Sequence, residues 1–490
     1  MSEVFQIHPI DNVAVALQPL TKGETVLGVT ALEDIPYAHK VALRAVSAGE
    51  AVMKYGYPIG RATCAIEPGA HVHTHNMASA LSGTSDYSRP DAYLSYTPEK
   101  AAYTFSGYLR PDGRAGIRND IWILPTVGCA NQAALQFASA AQQLALGGVS
   151  GVYAFTHPYG CSQLGEDMAN TQKILAGLAK NPNAAGVLLV SLGCENNNLD
   201  AMRPFLEGCD AQKVRCLVLQ QSDDEVGDAL QLLKELAAYA ATFKRQDLPL
   251  SALTIGMKCG GSDAFSGITA NPLCGQIADL LTSSGGRCML SEVPEMFGAE
   301  QILLNRCTSA QVFDAAAGMI GAFKQNYVDH GVPVYENPSP GNRAGGITTL
   351  EEKSLGCVQK GGRAAVTDVL SYGAQCQKPG LSLLSGPGND MVSTTALTAA
   401  GAVMLLFTTG RGTPLGAPVP TLKLASGTAI AEKKPGWIDF DCAAAIHQGG
   451  MTGARDALLD KMLQIAAGQP AKNEAAGYRE IAILRGGVTL

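Results

Sequence analysis

The string richest in chemistry is His71-Val72-His73-Thr74-His75-Asn76. In an extended segment alternate side chains face the same way, so this spacing puts three imidazoles on one side of the chain. Imidazole binds first-row metals such as iron, manganese and zinc, which makes His71, His73 and His75 candidate metal ligands. A polar strand whose histidines bond to backbone groups would read the same way. Cysteine forms a second pattern, in Gly128-Cys129, Gly160-Cys161, Gly193-Cys194 and Lys258-Cys259. Each stands just past an apolar, strand-like run, and open α/β sheets bind ligands outside the carboxyl ends of their strands. Cys129, Cys161, Cys194 and Cys259 are therefore candidate ligands for a metal or an iron-sulfur cluster. The close CxxC pairing of a specific cluster motif is absent, and cysteine beside glycine is also simply small and easily buried.

Glycine-bordered polar turns form a third group: 113–119 with Arg118 and Asn119, 260–263, 337–342 with Asn342, 385–390, and 408–412 with Arg411. Glycine lets backbone N–H groups approach a ligand closely, and Arg can hold a carboxylate with two parallel hydrogen bonds. Such loops suit a small, anionic, hydroxyl-rich molecule. Neither a Walker A pattern nor a GxGxxG after a strand is present, so nucleotide binding is unsupported. Two further residues fit proton transfer. Lys353, in Glu351-Glu352-Lys353-Ser354, could act as a base if desolvation lowered its pKa, and His39 could do so as an imidazole. The bland alternatives are a solvated helix start and a structural histidine.

These residues need elements to position them. Residues 5–70 read as short strands with turns, an all-β module. Residues 77–100 are rich in Ser, Tyr, Pro and Asp without periodicity, the composition of a linker. From 120 onward, apolar runs at 120, 151, 185 and 213 alternate with helix-forming segments, the pattern of a parallel sheet covered on both faces. The proline-containing stretch 243–251 reads as a second linker, followed by a glycine-rich third region.

Bulk properties agree. At 490 residues the chain exceeds one core, so two or three domains are expected. A hydrophobic content of 46% with 16% charged residues fits a compact globular protein. A net charge of −7 offers no footprint for nucleic acid or an anionic membrane, so the expected partner is a small molecule. No stretch is long and apolar enough for a membrane span, and the first residues lack a signal-peptide pattern, so the expected location is the cytoplasm. Thirteen cysteines, an odd number, suggest free thiols.

At this point the motifs resemble a known family, the altronate and galactarate dehydratases. DNVAVAL, AHKVAL, KYGYPIG and HVHTHN are similar to its amino-terminal SAF module. GYLRPDGRAGIRN and YGCSQLGEDMANT are similar to its second domain, and CGGSDAFSGITANP with NPSPGNRAGGITTLEEKSLG to its carboxy-terminal one. The likeness runs nearly end to end. HVHTHN and the compact length look like the altronate branch, because the galactarate branch lacks the histidine triplet. The resemblance implies a multidomain α/β protein: an SAF-like (β-clip) all-β domain with its linker over 1–95, a parallel-sheet α/β domain over 104–243, and a glycine-rich α/β dehydratase domain over 250–490. It implies a hydro-lyase converting D-altronate to 2-dehydro-3-deoxy-D-gluconate and water in hexuronate breakdown. The implied cofactor is a divalent metal, iron(II) first and manganese second, with an aconitase-like iron-sulfur cluster as the variant.

The chemistry then distributes roles. His73 and His75, with His71, are expected to hold the metal. Arg118 with Asn119, and Asn342 and Arg411, are expected to bind the substrate, and Lys353 or His39 to move the proton. The site is expected between domains. Galactarate or another hydroxy acid is the alternative substrate, and a sugar-acid sensor is the reading from a different class. A homo-oligomer stays open.

Overall fold

A computed structural model describes residues 3–81, 87–99, 103–144, 146–335, 337–446 and 450–487. The first unit is built of short antiparallel strands. Val4–Phe5, Val13–Ala16, Lys40–Ala42 and His71–Val72 form one sheet, and Ala51–Lys54, Tyr57–Ala62 and Met77–Ala78 form another. The alternation of NVAVAL places a pair of buried faces between them, with Ala14 and Ala16 in one apolar cluster and Val13 in another.

The linker expected over 77–100 is no free tether where it is described; residues 82–86 and 100 lie outside the described residues. Tyr96 donates its hydroxyl to the Thr282 carbonyl, and the Leu94 and Glu99 backbone N–H groups bond to Cys307 and Ser283. This segment therefore lies along the third unit.

The second unit carries a four-stranded parallel sheet in the order Val152–Ala154, Asp120–Pro125, Ala184–Ser191, Val214–Val218. Helices Asn131–Gln142, Gly165–Lys180 and Glu225–Ala240 connect and cover these strands. The apolar runs read from sequence are those strands, and Asp120–Pro125 and Ala184–Ser191 are buried at every position, as a sheet covered on both faces requires.

The linker expected at 243–251 is instead structured. Arg245–Pro249 is a strand pairing antiparallel with Thr104–Leu109, so the segment closes the second unit onto its own start. Its alternating polar residues have an edge-strand pattern, which in composition looks like a linker.

The third unit is a seven-stranded parallel sheet ordered Val366–Leu370, Gly380–Leu384, Arg287–Leu290, Thr254–Cys259, Met404–Thr409, Thr421–Ala425, Phe440–Asp441. The earliest of these strands in chain order, Thr254–Cys259, is the middle of the seven. The following strands are laid first to one side of it and then to the other, so the order reverses beside Cys259, where such sheets bind ligands. The second and third units share a core in which Trp122 and Leu124 meet Leu397, Leu405, Ile481 and Ile483.

Candidate active site

The centre of the site is the buried helix Leu350–Cys357, LEEKSLGC. Thr349 caps it by accepting the Glu352 N–H. Far from being a solvated helix start, its three charged residues are buried, each with a different partner. Glu351 accepts from Ser79 and from the Ala80 N–H. Glu352 takes Lys40 at 2.9 Å and Lys54 at 2.7 Å, both from the first unit. Lys353 turns into the third unit and pairs with Glu295 at 2.9 Å, also donating to Asn337 at 3.0 Å.

Behind Lys353 lies a charge cluster at the carboxyl ends of the central strands. Lys258 pairs with Glu292 and, at 2.9 Å, with Asp390, and Lys360 approaches Glu292 at 3.4 Å. Glu292 has a φ of +66°, a left-handed conformation rare for a non-glycine residue and typical of places where function imposes strain. Cys259 and Cys357 both donate to Glu295, at 2.9 and 3.2 Å, and their sulfurs are 3.4 Å apart. Among the described residues this is the one group of three or more His, Cys, Asp or Glu ligand atoms lying within 4.8 Å of one another.

Burial alone would neutralise these groups, but Lys353 and Glu295 hold each other charged. Burial would lower Lys353, yet the Glu295 carboxylate lifts it above the ordinary lysine value. Burial would raise Glu295, yet Lys353, Lys258 and Lys360 hold it below the carboxylate range. Glu292 is raised by burial and by Glu295. The hydrogen bond to Cys259, with burial, pushes the Cys357 thiol well up. The expectation of a Lys353 with lowered pKa is therefore corrected: its ammonium is stabilised, and it suits proton donation or anion stabilisation.

The histidines lie on the other side of the same segment. The triplet is extended only over His71–Val72; at 73 the chain turns, with the Asn76 and Met77 N–H groups bonding to the His73 carbonyl. The imidazoles still gather, and His39 joins them. His39 Nδ1 is 2.9 Å from His71 Nε2, and ring centroids of His71, His73 and His75 lie 5.4–5.6 Å from their neighbour. Burial, then the neighbouring imidazoles, lowers His71 to about 3, and burial, then Lys40, lowers His73 to about 4. Burial also lowers His39, so these three rings are neutral near pH 7. His73 Nε2 faces the Arg343 carbonyl at 2.9 Å while its Nδ1 accepts the Thr74 N–H at 2.8 Å. Both its nitrogens are engaged, and the three histidines do not bring ligand atoms within 4.8 Å of one another.

His39, at 3.4 Å from the Ala344 carbonyl, and His73 touch the turn 341–346, and Arg411 reaches the Gly341 carbonyl at 3.4 Å with its remaining donors exposed. Asn342 is buried and builds this turn: its side-chain oxygen accepts from Ser339, and its amide donates to the Ser262 carbonyl. Arg118 and Asn119 lie elsewhere. All five Arg118 donors are used, on Glu474 and on the Ile117, Ile465 and Gln469 carbonyls. Asn119 is filled by Arg110 and by the Gly148 and Ala240 carbonyls. Their expected role on a substrate carboxylate is corrected to a structural one. The four cysteines do not converge either: Cys259 belongs to the seven-stranded sheet, and Cys129, Cys161 and Cys194 to the loops of the four-stranded one.

Sequence reasoning passed over Glu292, Glu295, Cys357 and Lys360, and met Lys258 and Asp390 only as motif neighbours without a role. One signal was present, a lysine inside the otherwise apolar strand TIGMKC. Charged residues fully buried in opposed pairs are expensive unless used, and they mark a functional site.

Paired acids and lysines at the switch point of a parallel sheet, met by neutral imidazoles from the first unit, define an enzyme equipped for proton transfer on an anionic small molecule. Family models match along the chain: the altronate/galactarate dehydratase SAF domain over 2–80, the D-galactarate dehydratase/altronate hydrolase second domain over 107–241, and the D-galactarate/altronate dehydratase C-terminal domain over 250–489. Altronate dehydratase of Escherichia coli (strain K12) is 45% identical over 494 residues, and that of Bacillus subtilis (strain 168) 45% over 502, each covering 100% of both chains. Galactarate dehydratase (L-threo-forming) of E. coli is 33% identical over 457 residues, 89% of this chain and 86% of that one. The chain belongs to the altronate/galactarate dehydratase family and is a hydro-lyase acting on a sugar acid.

Proposed function

We propose that this enzyme dehydrates D-altronate to 2-dehydro-3-deoxy-D-gluconate, in hexuronate breakdown in the cytoplasm. The observation that carries the substrate choice is the full-length 45% identity to two altronate dehydratases, against 33% to the galactarate enzyme. In the reaction a base takes the proton from C2, the C3–O bond breaks, and the hydroxyl leaves with a proton as water. The resulting enol becomes the 2-keto acid. Arg411, with free donors beside the Gly341 turn, binds the carboxylate as a fork. Neutral His39 accepts the C2 proton at Nε2 when the substrate displaces its long 3.4 Å contact with the Ala344 carbonyl, while its Nδ1 stays 2.9 Å from His71 Nε2. Charged Lys353 supplies positive charge to the developing enolate or a proton to the departing hydroxyl.

The family chemistry implies a divalent metal, and two donor sets compete for it. The histidine triplet fits poorly, because both His73 nitrogens already have protein partners. Cys259, Glu295 and Cys357 fit better. Glu292, Glu295 and Asp390 already balance Lys258, Lys353 and Lys360, so a divalent cation that displaces two thiol protons leaves the cluster neutral. Thiolates favour iron(II) over manganese. When bound there, the ion supplies a Lewis acid that polarises a substrate oxygen.

Substitution separates the roles. Lys353→Met should lower kcat by about a hundredfold or more with KM little changed. Arg411→Ala should act mainly through KM. Equal and full activity in both variants would overturn the assignments.

A further inference from the structure

We propose that the second unit carries an iron-sulfur cluster held by Cys129, Cys161 and Cys194, separate from the Cys259 site. The three residues follow the same pattern, a Gly-Cys pair just past a strand. Their strands, Asp120–Pro125, Val152–Ala154 and Ala184–Ser191, are adjacent and parallel in one sheet, so all three pairs emerge at the same end. Neighbouring strands lie about 4.8 Å apart, which sets the scale of their separation.

The loops are also bonded to one another. The Gly128 N–H donates to the Tyr159 carbonyl and the Asn197 N–H to the Gly160 carbonyl. Asn196 Oδ1 accepts from the Ser162 N–H at 3.0 Å and lies 3.6 Å from the Cys161 sulfur. Glycine makes this closeness feasible. At Gly160, with a φ of +100°, a Cβ would sit 2.0 Å from the Thr126 carbonyl oxygen, and at Gly193, with +121°, 2.9 Å from the Gln220 side chain. At Gly160 any other residue would push the Cys161 loop away from the chain that leads to Cys129; at Gly193 it would crowd the Gln220 and Val218 side chains.

Two more observations point to a ligand. All three thiols are exposed, unlike the seven cysteines of the third unit, which are buried. At the junction of the loops, Asn197 is fully buried and donates to the Thr126 carbonyl, yet its Oδ1 has no partner among the described residues. The three sulfurs do not all lie within 4.8 Å of one another, which limits the kind of ligand they could share. A single tetrahedral ion with metal–sulfur bonds near about 2.3 Å would draw its sulfurs to about 4 Å apart. A cluster places its cysteines on different irons and suits the wider spacing. Three thiolates leave one iron of a four-iron cluster without a protein ligand, a position open to a hydroxyl or carboxylate oxygen.

The inference does not depend on the dehydratase reading, because metal content is measured without turnover. The full chain, prepared without oxygen and incubated with iron(III), sulfide and excess thiol, which supplies the electrons that reduce part of the iron, should bind labile sulfide with an equal amount of iron beyond that held at the Cys259 site, and gain a broad visible absorption. Alkylation with iodoacetamide should then spare Cys129, Cys161 and Cys194 while still labelling exposed Cys64. Cys161→Ala and Cys194→Ser should lose sulfide and colour, and Cys216→Ala, exposed on a neighbouring strand, should keep both. Circular dichroism and Trp122 fluorescence report whether each variant is folded. Iron bound without sulfide, zinc in place of iron, undiminished alkylation of the three thiols in reconstituted protein, or colour that persists in folded Cys161→Ala would each overturn the proposal.

Discussion

Glu352 shows how much one residue does here. It is fully buried and the shared partner of Lys40 and Lys54, so removing its charge leaves two buried ammonium groups opposed. Glu352→Gln should cost about 3–5 kcal/mol of stability, measured by denaturant unfolding. The pH dependence follows from the same contacts. Burial would raise the Glu352 pKa, but the two lysines pull it from 4.5 to about 2. A depressed carboxylate contributes stability above its unfolded pKa and loses it as pH falls through the folded value. Unfolding measured from pH 5 to pH 2 should therefore show a loss of about 3 kcal/mol that is absent in Glu352→Gln. Burial lowers Lys40 the other way, to about 8, making it the lysine near the site whose charge is easily lost. The residue-level inventory was partly legible. His39, Lys353, Asn342 and Arg411 stand out by type and setting, and all gather around 337–357. Their partners did not, because each comes from far along the chain: His73 meets Arg343 across 270 positions, and Lys40 meets Glu352 across 312.

At the scale of elements, periodicity served well where a strand or helix is buried on its own terms. The runs at 120 and 185 are strands because continuous β-branched and aliphatic residues suit a sheet covered on both faces. It served badly at 243–251, where the pairing of Arg245–Pro249 with Thr104–Leu109 is set by a partner 139 residues away. The same distance effect misassigned Arg118. Its motif, GRAGIRN, reads as an anion-binding turn, but Glu474 arrives from the carboxy-terminal helix Lys472–Ala475 and takes it. Arg118→Ala should thus lower the unfolding free energy by about 3 kcal/mol or more while leaving KM for substrate unchanged. A raised KM with unchanged stability would return Arg118 to the substrate.

In the whole molecule, the first unit reaches the third through Lys40, Lys54, His39 and His73, so its docking is tied to neutral imidazoles and a charged carboxylate. Folded His71 and His73 resist protonation, whereas the unfolded rings protonate near 6.5. Stability is then present above that value and falls as pH drops through about 4. Protease cleavage in the 77–100 segment should increase over that range, and a flat response would show that the rings do not govern docking. The β module and the parallel sheet of the second unit were legible from composition shifts, whereas the third unit was legible only as a glycine-rich region and not as a seven-stranded parallel sheet. The convergence of the first and third units on helix Leu350–Cys357 was not, since no local pattern encodes which faces meet. Among the described residues no helix is long and apolar enough to cross a membrane.

The central claim is that this family member eliminates water from altronate. Incubating the iron-loaded full-length enzyme, without oxygen, with D-altronate and separately with galactarate, and detecting the 2-keto-3-deoxy acid, tests it directly. Altronate should yield 2-dehydro-3-deoxy-D-gluconate with the higher kcat/KM, and Lys353→Met should abolish most of that activity. Absence of keto acid from altronate, or a clear preference for galactarate, would contradict it.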